Sequence, residues 1–263
     1  MSIKYYVINL DRSTDRLKSV SSQCEDQNIN LERIPAYDGN TLDLKELADD
    51  AACRYEMGRS IQPGEVGCFL SHRKALEEFL LSGEEFAVIL EDDATMSKNF
   101  SRAISDICLF IKRNSHLNIF AINLGPSDYK YSTTLIRFDK VSLLRAHRFP
   151  MLATGIFWTK HGAETILKDK NKIKFPYDNY LRMLLTREHM GLSVNPPLIS
   201  AADGKSVIDD TNTTTRRSYK NRSQLYFLKK QKRIIHEKLL AILSMLKWNI
   251  NSLSINKDKG SDN

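Results

Sequence analysis

The chain has 263 residues, of which 41% are hydrophobic and 27% are charged. This length excludes a peptide or a small disulfide-stabilised scaffold, and the composition excludes a globally disordered protein. The formal net charge is +7. Residues 216–247 hold ten Lys or Arg residues and one acid, Glu237, which gives +9 and leaves −2 for the rest of the chain. The basic character therefore belongs to the C-terminal part.

The cysteines and the N-terminal residues bear on the compartment. Cys24, Cys53, Cys68 and Cys108 lie 29, 15 and 40 residues apart, and no pair has zinc-site spacing. We therefore expect free thiols in a reducing compartment. The N-terminal residues contain no apolar run followed by a small-residue cleavage site, and no stretch reaches the roughly 18 apolar residues of a membrane span. These features favour a cytoplasmic protein.

Strands and helices alternate along the first hundred residues. Residues 5–10 form an apolar run that predicts a buried strand, and a helix is expected to begin at Ser13 or Thr14. A second strand is predicted at 31–34. The clearest helix begins at Pro63, has apolar residues at helical spacing and ends near Gly83. The strand at 86–90 follows. This alternation is typical of an α/β fold.

The second half of the chain continues this pattern. Helices are predicted at 99–113, around 163–167 and at 177–186, and strands at 117–124, 134–138 and 152–158. Residues 201–219 are rich in Asp, Thr, Ser and Gly, and we interpret them as a loop or as a segment that is ordered only by a ligand, with the domain boundary in it. We therefore divide the chain into a domain at 1–215, a basic helical tail at 216–250 and a disordered end at 251–263.

Three consecutive acids, Glu91, Asp92 and Asp93, follow the strand predicted at 86–90. Charges at the end of a buried strand are costly unless something compensates them. The carboxyl ends of strands line the usual ligand crevice of an open α/β sheet, and Mg²⁺ or Mn²⁺ favours carboxylates together with substrate phosphates. Since side chains alternate along a strand, Glu91 and Asp93 should share one side and Asp92 the other. A solvated loop or an acidic helix start explains the triplet equally simply.

Four segments of the first hundred residues decide between these interpretations. They are VINLDR at 7–12 with Asp15-Arg16, AYDG at 36–39, PGEVGCFLSH at 63–72 and VILEDD at 88–93. With them, the sequence resembles glycosyltransferase family 25, the bacterial lipo-oligosaccharide and lipopolysaccharide transferases that share a domain with procollagen galactosyltransferases. The resemblance covers about residues 3–210 and is looser after 125.

The resemblance implies a GT-A-like α/β fold with a mostly parallel central sheet flanked by helices. It also implies inverting transfer of a sugar, commonly galactose from UDP-galactose, to a lipo-oligosaccharide or a related glycan. Glu91, Asp92 and Asp93 stand where GT-A enzymes carry their acidic motif for Mn²⁺ or Mg²⁺. Because this chain has EDD instead of the commoner D-x-D, we expect Asp93, and after it Glu91, to ligate the cation.

The same resemblance predicts a set of donor-binding residues. They are Asn9, Leu10, Asp11, Arg12, Arg16, Asp38, Gly39, Ser71, His72, Asp92 and Ser206. Asn and Asp side chains can hydrogen-bond a uracil or a ribose, and Arg can pair with phosphate. Without the resemblance, a helix cap with solvated arginines would explain residues 9–16, and a hydrogen-bonded core histidine would explain His72.

Inverting transfer also needs a base that takes the proton of the acceptor hydroxyl. We expect Asp178, at the predicted helix start after Pro176, to be this base, and Asp203 in the polar loop is the second candidate. The alternative role for Asp178 is that of a helix-terminal acid stabilised by the helix dipole.

Other functions are weighed against transfer. A glycosidase needs two carboxylates that flank the scissile bond, for which adjacent acids are poorly arranged. A metal-dependent phosphodiesterase or nuclease also uses acids and divalent ions, but the six histidines are scattered along the chain. A basic nucleic-acid-binding protein would explain the tail, and the acidic remainder argues against it.

The tail forms the last predicted element. Residues 225–248 place six Leu or Ile side chains on or near one helical face, with Lys and Arg between them. Such a helix can lie at an anionic membrane surface, where each basic residue contributes about 1 kcal/mol. We expect peripheral association with the inner face of the cytoplasmic membrane, beside a lipid-linked acceptor. The alternative is a terminal helix packed on the main domain.

Overall fold

An eight-stranded sheet forms the centre of the protein, of which the computed structural model describes residues 3–202 and 222–258. In spatial order the strands are β2 (Leu31–Pro35), β1 (Lys4–Asn9), β3 (Phe86–Glu91), β8 (Gly155–Thr159), β5 (Ala121–Asn123), β9 (Gly191–Asn195), β7 (Val141–Ala146) and β6 (Ser132–Phe138). All of them except β7 and β8 run in the same direction. The predicted α/β class with a mostly parallel central sheet is confirmed. Strands β4 (Ala94–Met96) and β10 (Ile199–Ala201) form a small antiparallel ribbon.

Helices cover both faces of the sheet. They are α1 (Thr14–Glu25), α2 (Leu44–Leu47), α3 (Asp50–Met57), α4 (Pro63–Leu81), α5 (Phe100–Arg113), α6 (Lys160–Lys168), α7 (Tyr177–Glu188) and α8 (Tyr226–Asp258). The side chains of β3 alternate between two cores. Ala87 and Ile89 pack with α4, α6 and α7, whereas Val88 and Leu90 pack with α1 and α5. Because both faces of β3 are buried, its sequence is a continuous apolar run.

A buried ion pair fixes the start of α4. The Arg59 guanidinium donates two hydrogen bonds to the Glu65 carboxylate, at 2.9 and 2.7 Å, and both side chains are buried. The same carboxylate accepts a hydrogen bond of 3.0 Å from the backbone N–H of Gln62, which precedes the helix. Glu65 therefore satisfies one orphan donor of the first turn and anchors that turn to the preceding loop.

Two glycines allow residues 36–39 to lie directly against the first turns of α4. A Cβ atom at Gly39 would come within 1.9 Å of the Pro63 carbonyl oxygen, and one at Gly67 within 2.6 Å of the Tyr37 carbonyl oxygen. Any larger residue would push the loop and the helix apart. The motifs AYDG and PGEVG thus correspond to one backbone-to-backbone contact.

Helix α8 packs on the main body through one side. Glu237, Ala241 and Ser244 are buried there, at successive positions on one helical face. The Leu and Ile side chains that we singled out in the tail point the other way and are exposed. Among the described helices, none has an apolar stretch long enough to cross a membrane.

Several predicted boundaries differ from the structure. The strand predicted at 117–124 contains only β5, after a short 3-10 turn, and the strand predicted at 152–158 is displaced to β8. The short helices α2 and α3 and the strands β7 and β9 were not predicted. Helix α8 continues to Asp258, past residue 250 where we expected the tail helix to end. The proposed boundary at residue 215 lies outside the described residues.

The Arg59–Glu65 pair leads to a stability prediction. Glu65→Gln leaves a buried guanidinium without its counter-charge, so we expect the free energy of unfolding to fall by about 3–5 kcal/mol. Glu77→Gln, on the exposed side of the same helix, is the matched control and should change it by less than about 0.5 kcal/mol. Urea denaturation followed by circular dichroism measures both. Equal effects of the two substitutions would show that the pair does not anchor α4.

Candidate active site

A cleft open to solvent lies at the carboxyl ends of β1 and β3. This is the usual ligand position of an open α/β sheet. One wall is the start of α4, and another is the start of α1. The lining residues are Ile8, Leu10, Arg12, Ser13, Arg16, Ala36, Tyr37, Asp38, Gly39, Asn40, Gly64, Cys68, Ser71, His72, Glu91, Asp92 and Asp93.

The acidic triplet forms the floor of this cleft, and its three carboxylates face different partners. Glu91 is the last residue of β3 and faces α4, where its Oε1 lies 3.3 Å from His72 Nε2. Asp92 faces α1, and Arg16 Nη1 approaches its Oδ1 at 3.3 Å. The expected alternation is therefore confirmed for Glu91 and Asp92. Asp93 lies in the turn after the strand, where strict alternation no longer holds.

Asp93 is the least compensated carboxylate of the three. Its Oδ1 atom is buried and accepts no hydrogen bond from the residues that the structure describes. Burial, together with the negative charges of Glu91 and Asp92, raises the pKa of Asp93 to about 6 against the opposing effect of Arg16. A buried oxygen without a donor, beside two further carboxylates, is a place where a hard cation would be stabilised.

His72 occupies a buried position on the opposite wall. Its ring stacks on Tyr177 at the start of α7, with centroids 4.1 Å apart and planes inclined by 16°. Cys68, one helical turn earlier on α4, places its Sγ 3.7 Å from Glu91 Oε1. The ligand atoms of Cys68, His72 and Glu91 lie within 4.8 Å of one another. This group could hold a softer cation than the carboxylates alone.

The residues fit a divalent cation at the triplet better than at the Cys68 group. Mn²⁺ and Mg²⁺ favour oxygen ligands, and Asp93 Oδ1 is a buried oxygen without a hydrogen-bond partner among the described residues. Glu91 lines the same cleft. Asp93 and then Glu91 thus remain the predicted ligands.

Positive charge enters the cleft from α1. Arg12 lies in the turn before α1 and Arg16 in the first turn of α1, and both line the cleft. Arg12 forms an ion pair with Asp38 across the opening. A hydrogen bond from the Asn40 N–H, together with the Arg12 guanidinium, holds the pKa of Asp38 below its usual value. The cleft therefore presents carboxylates and guanidinium groups to the same space, as a metal-bound diphosphate requires.

Three predicted residues mainly hold other parts of the cleft in place. Asn9 is buried beneath it and donates from Nδ2 to Asp92 Oδ2 at 2.7 Å. Ser71 lines the cleft, but its hydroxyl accepts from the Tyr37 N–H at 2.9 Å and donates to the Gly67 carbonyl at 2.7 Å, so it holds the loop at 36–39. Gly39 serves the close contact with α4 described above.

Other predicted residues are not in the cleft. Asp11 is largely exposed and pairs with Arg33. Asp178 lies in the first turn of α7, next to Tyr177, and its Oδ1 accepts hydrogen bonds from Asn179. Asp203 and Ser206 lie outside the described residues. The last described residue before them is Ala202, whose N–H donates to the Asp93 carbonyl oxygen at 2.7 Å.

Three residues of the site were missed as functional residues. Arg33, in the middle of β2, donates from Nε to Asn9 Oδ1 at 3.0 Å and thereby orients the amide that holds Asp92. Tyr177 supplies the surface on which His72 stacks. No local pattern marks Arg33. Cys68 could have been found, because it precedes His72 by four residues and therefore shares its face of α4.

Comparisons with known proteins agree on one family. The profile described as glycosyltransferase family 25 (LPS biosynthesis protein) matches residues 2–181. The chain is 35% identical over 105 residues to a rat protein named probable inactive glycosyltransferase 25 family member 3, an alignment that covers 38% of this chain and 18% of that protein. It is 26% identical over 190 residues to a glycosyltransferase 25 family member of Anopheles gambiae, covering 68% and 31%.

Two further similarities complete this comparison. The zebrafish (Danio rerio) protein named procollagen galactosyltransferase 1 is 23% identical over 192 residues, covering 69% of this chain and 31% of that protein. The chain thus spans about a third or less of the length of these three relatives. A solved glycosyltransferase involved in the glycosylation of the major capsid of PBCV-1 matches with a TM-score of 0.42 and 13% identity, covering 78% of this chain and 95% of that one.

The raised pKa of Asp93 leads to a prediction about pH. The folded chain holds this proton more tightly than the unfolded chain, so stability present below pH 3.8 is lost as the pH rises through about 6. Asp93→Asn removes this loss. We expect the variant to melt at a higher temperature than the natural chain at pH 8, with a much smaller difference at pH 4.

Asp15→Asn is the control, because its side chain is almost fully exposed. Its melting temperature should follow that of the natural chain at both pH values. Thermal denaturation without added metal checks the prediction. An Asp93→Asn variant that melts below the natural chain at pH 8 would contradict the placement of Asp93 as an uncompensated buried carboxylate.

Proposed function

The chain belongs to glycosyltransferase family 25, and we propose that it transfers a sugar from a nucleoside-diphosphate donor to a hydroxyl group of a glycan. The proposed donor is a UDP-sugar, with UDP-galactose as the first candidate. The proposed acceptor is a lipo-oligosaccharide, a lipopolysaccharide or a related glycan. The proposed cofactor is Mn²⁺ or Mg²⁺.

One observation carries the proposal: four carboxylates, those of the acidic triplet and Asp38, and two guanidinium groups line a single cleft at the carboxyl ends of β1 and β3. Carboxylates alone would repel a diphosphate, whereas guanidinium groups could bind a diphosphate without any acids nearby. Together they suit a diphosphate that is bound with a divalent cation, because the acids hold the cation and the arginines pair with phosphate oxygens.

The individual side chains suggest how the donor is held. Arg16 is fixed by Asp92, and Asp92 is in turn held by Asn9, so this guanidinium group is already oriented before a ligand binds. Preorganised charge of this kind costs little to arrange during the reaction. Leu10 and Tyr37 also line the cleft and offer apolar surface on which a nucleobase could pack.

In the proposed reaction, the acceptor hydroxyl oxygen attacks the anomeric carbon from the side opposite the diphosphate. The new C–O bond forms as the bond to the diphosphate breaks, the leaving group keeps the electron pair, and a base takes the hydroxyl proton. A divalent cation, when bound, neutralises charge that develops on the leaving diphosphate. Arg12 and Arg16 would stabilise the same negative charge from the α1 side.

The names of the relatives support the class of reaction and raise one question. The zebrafish relative is named a galactosyltransferase, which favours galactose as the transferred sugar. The rat relative is named probable inactive, so family membership alone does not establish activity. In favour of activity, this chain combines the acidic triplet with both arginines in one cleft.

The metal-dependent phosphodiesterase or nuclease is the second candidate. Such an enzyme would be expected to gather several His or Asp ligands around its ions. His72 is the single histidine among the described residues that line the cleft, and it is stacked on Tyr177. His147 lies elsewhere, hydrogen-bonded to Ser244 of α8. This arrangement favours sugar transfer.

The deciding experiment measures donor binding and turnover separately. Calorimetric titration with UDP, UDP-galactose, UDP-glucose and GDP-mannose, with and without Mn²⁺, tests for a nucleotide-sugar site. Release of UDP in the presence of glycan acceptors then tests for transfer. We expect Mn²⁺-dependent binding of the UDP compounds. A cleft that binds none of these nucleotides would overturn the proposal, and binding without turnover would place the chain with its inactive relatives.

Arg16 provides a sharper test of donor binding. Charge-assisted hydrogen bonds contribute about 1.5–3 kcal/mol, so Arg16→Gln should weaken UDP binding by roughly tenfold to a hundredfold. Arg113→Gln, on an exposed residue at the end of α5, removes the same charge far from the cleft and should leave the affinity unchanged. If both variants bind UDP equally well, the diphosphate does not contact the α1 side.

The base remains open, and Asp178→Asn tests it. We expect donor affinity to be retained and turnover to fall by roughly 10² to 10⁴, the usual range for general acid–base catalysis. Asp169→Asn, a carboxylate between α6 and α7 that also does not line the cleft, is the control. Full turnover of the Asp178 variant would show that this acid serves the helix terminus, and Asp203 would become the first candidate.

A further inference from the structure

Helix α8 is attached to the body by polar contacts, which is unusual for a helix so rich in leucine. The buried Glu237 carboxylate accepts from Arg148 at 2.9 Å and lies 3.9 Å from Arg182. Ser244 Oγ and His147 Nδ1 are 2.8 Å apart in a buried hydrogen bond. These contacts fix which side of the helix faces the body.

The opposite side of α8 carries an apolar stripe that faces away from the body. The stripe consists of Leu228, Ile235, Leu239, Ile242, Leu243 and Leu246. Their exposed fractions range from 44% to 67%. The spacing of three, four and seven residues places them along one side of the helix. Single exposed apolar residues are ordinary, but a contiguous stripe of six indicates an interaction surface.

The charges around the stripe have one sign. Lys232, Lys238 and Lys247 are exposed along it, and His236 is exposed between them. The acid of this part of the helix, Glu237, points inward and is neutralised by arginines. Up to residue 248, the outward side of α8 therefore combines large apolar side chains with cationic groups and presents no carboxylate.

We propose that the outward stripe of α8 binds the surface of an anionic lipid bilayer, with the leucine and isoleucine side chains inserted at shallow depth. The lysines at its borders can extend toward lipid phosphates while their methylene chains remain over apolar surface. This arrangement matches both the apolar and the electrostatic character of the stripe. The proposal stands on α8 alone and does not depend on the proposed sugar transfer.

Two other occupants fit the stripe less well. A second copy of the chain would cover the leucines, but it would bring the lysines of two helices together without acids to pair with them. A nucleic acid would match the lysines, but it would leave the apolar side chains in water, because its affinity comes chiefly from phosphate contacts. The bilayer is the occupant that uses both properties.

The attachment of α8 also relates the membrane to the cleft. The residues before α8 contact the loop that precedes α4, through a hydrogen bond of 2.8 Å from the Ser223 N–H to the Gly58 carbonyl and a bridge between Arg59 and Arg222. Arg59 in turn holds the start of α4, which lines the cleft. A bound bilayer would thus be connected to the cleft wall by a short series of contacts.

Co-sedimentation of the full chain with vesicles tests the proposal. We expect binding to vesicles of phosphatidylglycerol and phosphatidylcholine in equal parts, and little binding to phosphatidylcholine alone. Because part of the attraction is electrostatic, binding should weaken as salt shortens the Debye length from about 8 Å at 0.15 M to about 3 Å at 1 M. Absence of binding to the anionic vesicles at low salt would overturn the proposal.

Matched variants separate the two contributions. Replacing Leu239, Ile242 and Leu246 by Ser should weaken vesicle binding by more than tenfold, whereas Leu81→Ser, on an exposed leucine of α4, should not. Replacing Lys232, Lys238 and Lys247 by Gln should also release the protein. Gln at Lys18, Lys98 and Lys170, which are exposed elsewhere, lowers the net charge equally and should leave binding intact.

Folding and the alternative occupants are checked with the same proteins. All substituted residues are exposed, so circular dichroism and UDP binding should be unchanged, and a loss of vesicle binding then reports the stripe. Vesicle binding that survives the Ser substitutions would overturn the proposal. So would a dimer in analytical ultracentrifugation that the Ser substitutions dissociate, or binding to duplex DNA in place of vesicles.

Discussion

The buried ion pair between Arg59 and Glu65 is the constraint from which the cleft is built. It holds the first turn of α4, and that turn lies against the loop at 36–39 in a contact that only glycine permits at Gly39 and Gly67. The cleft wall is therefore set by backbone contacts, which leave little freedom for adjustment. Arg59 also forms a backbone β-bridge with Arg222, so the same anchor connects the cleft wall to the residues just before α8.

The acidic triplet is tolerated because its charges are compensated unequally. Asp92 is held by Asn9 and Arg16, and Glu91 faces His72, whereas Asp93 Oδ1 has no donor in the described part of the chain. A fold under selection for stability alone would be expected to satisfy or remove that oxygen, since an unsatisfied buried acceptor is costly. The unequal compensation is typical of a site in which a bound ligand completes the coordination.

Local sequence patterns predicted the parts of the fold that depend on nearest neighbours. The apolar runs of β1 and β3 were identified because strands buried on both faces are apolar throughout. Helix α4 was identified because a helix with one packed face has apolar residues at helical spacing. Strand β9 was not identified, because its partners β5 and β7 lie far earlier in the chain. Strand β7 was also missed, although it forms a hairpin with β6. The acidic triplet was found from its position after a strand. Arg33, which reaches the site from a neighbouring strand, leaves no local signal.

Helix α8 shows where periodicity reaches its limit. Its sequence contains two candidate faces, and the more apolar one was expected either to face a membrane or to be buried against the body. The structure buries the less apolar face. On this face Ala241 and Ser244 allow close approach, and Glu237 forms ion pairs with two arginines. Small residues and specific charge pairs can therefore determine docking more strongly than apolar area. The leucines remain exposed beside a cationic border, and the proposed contact with an anionic bilayer rests on these two observations.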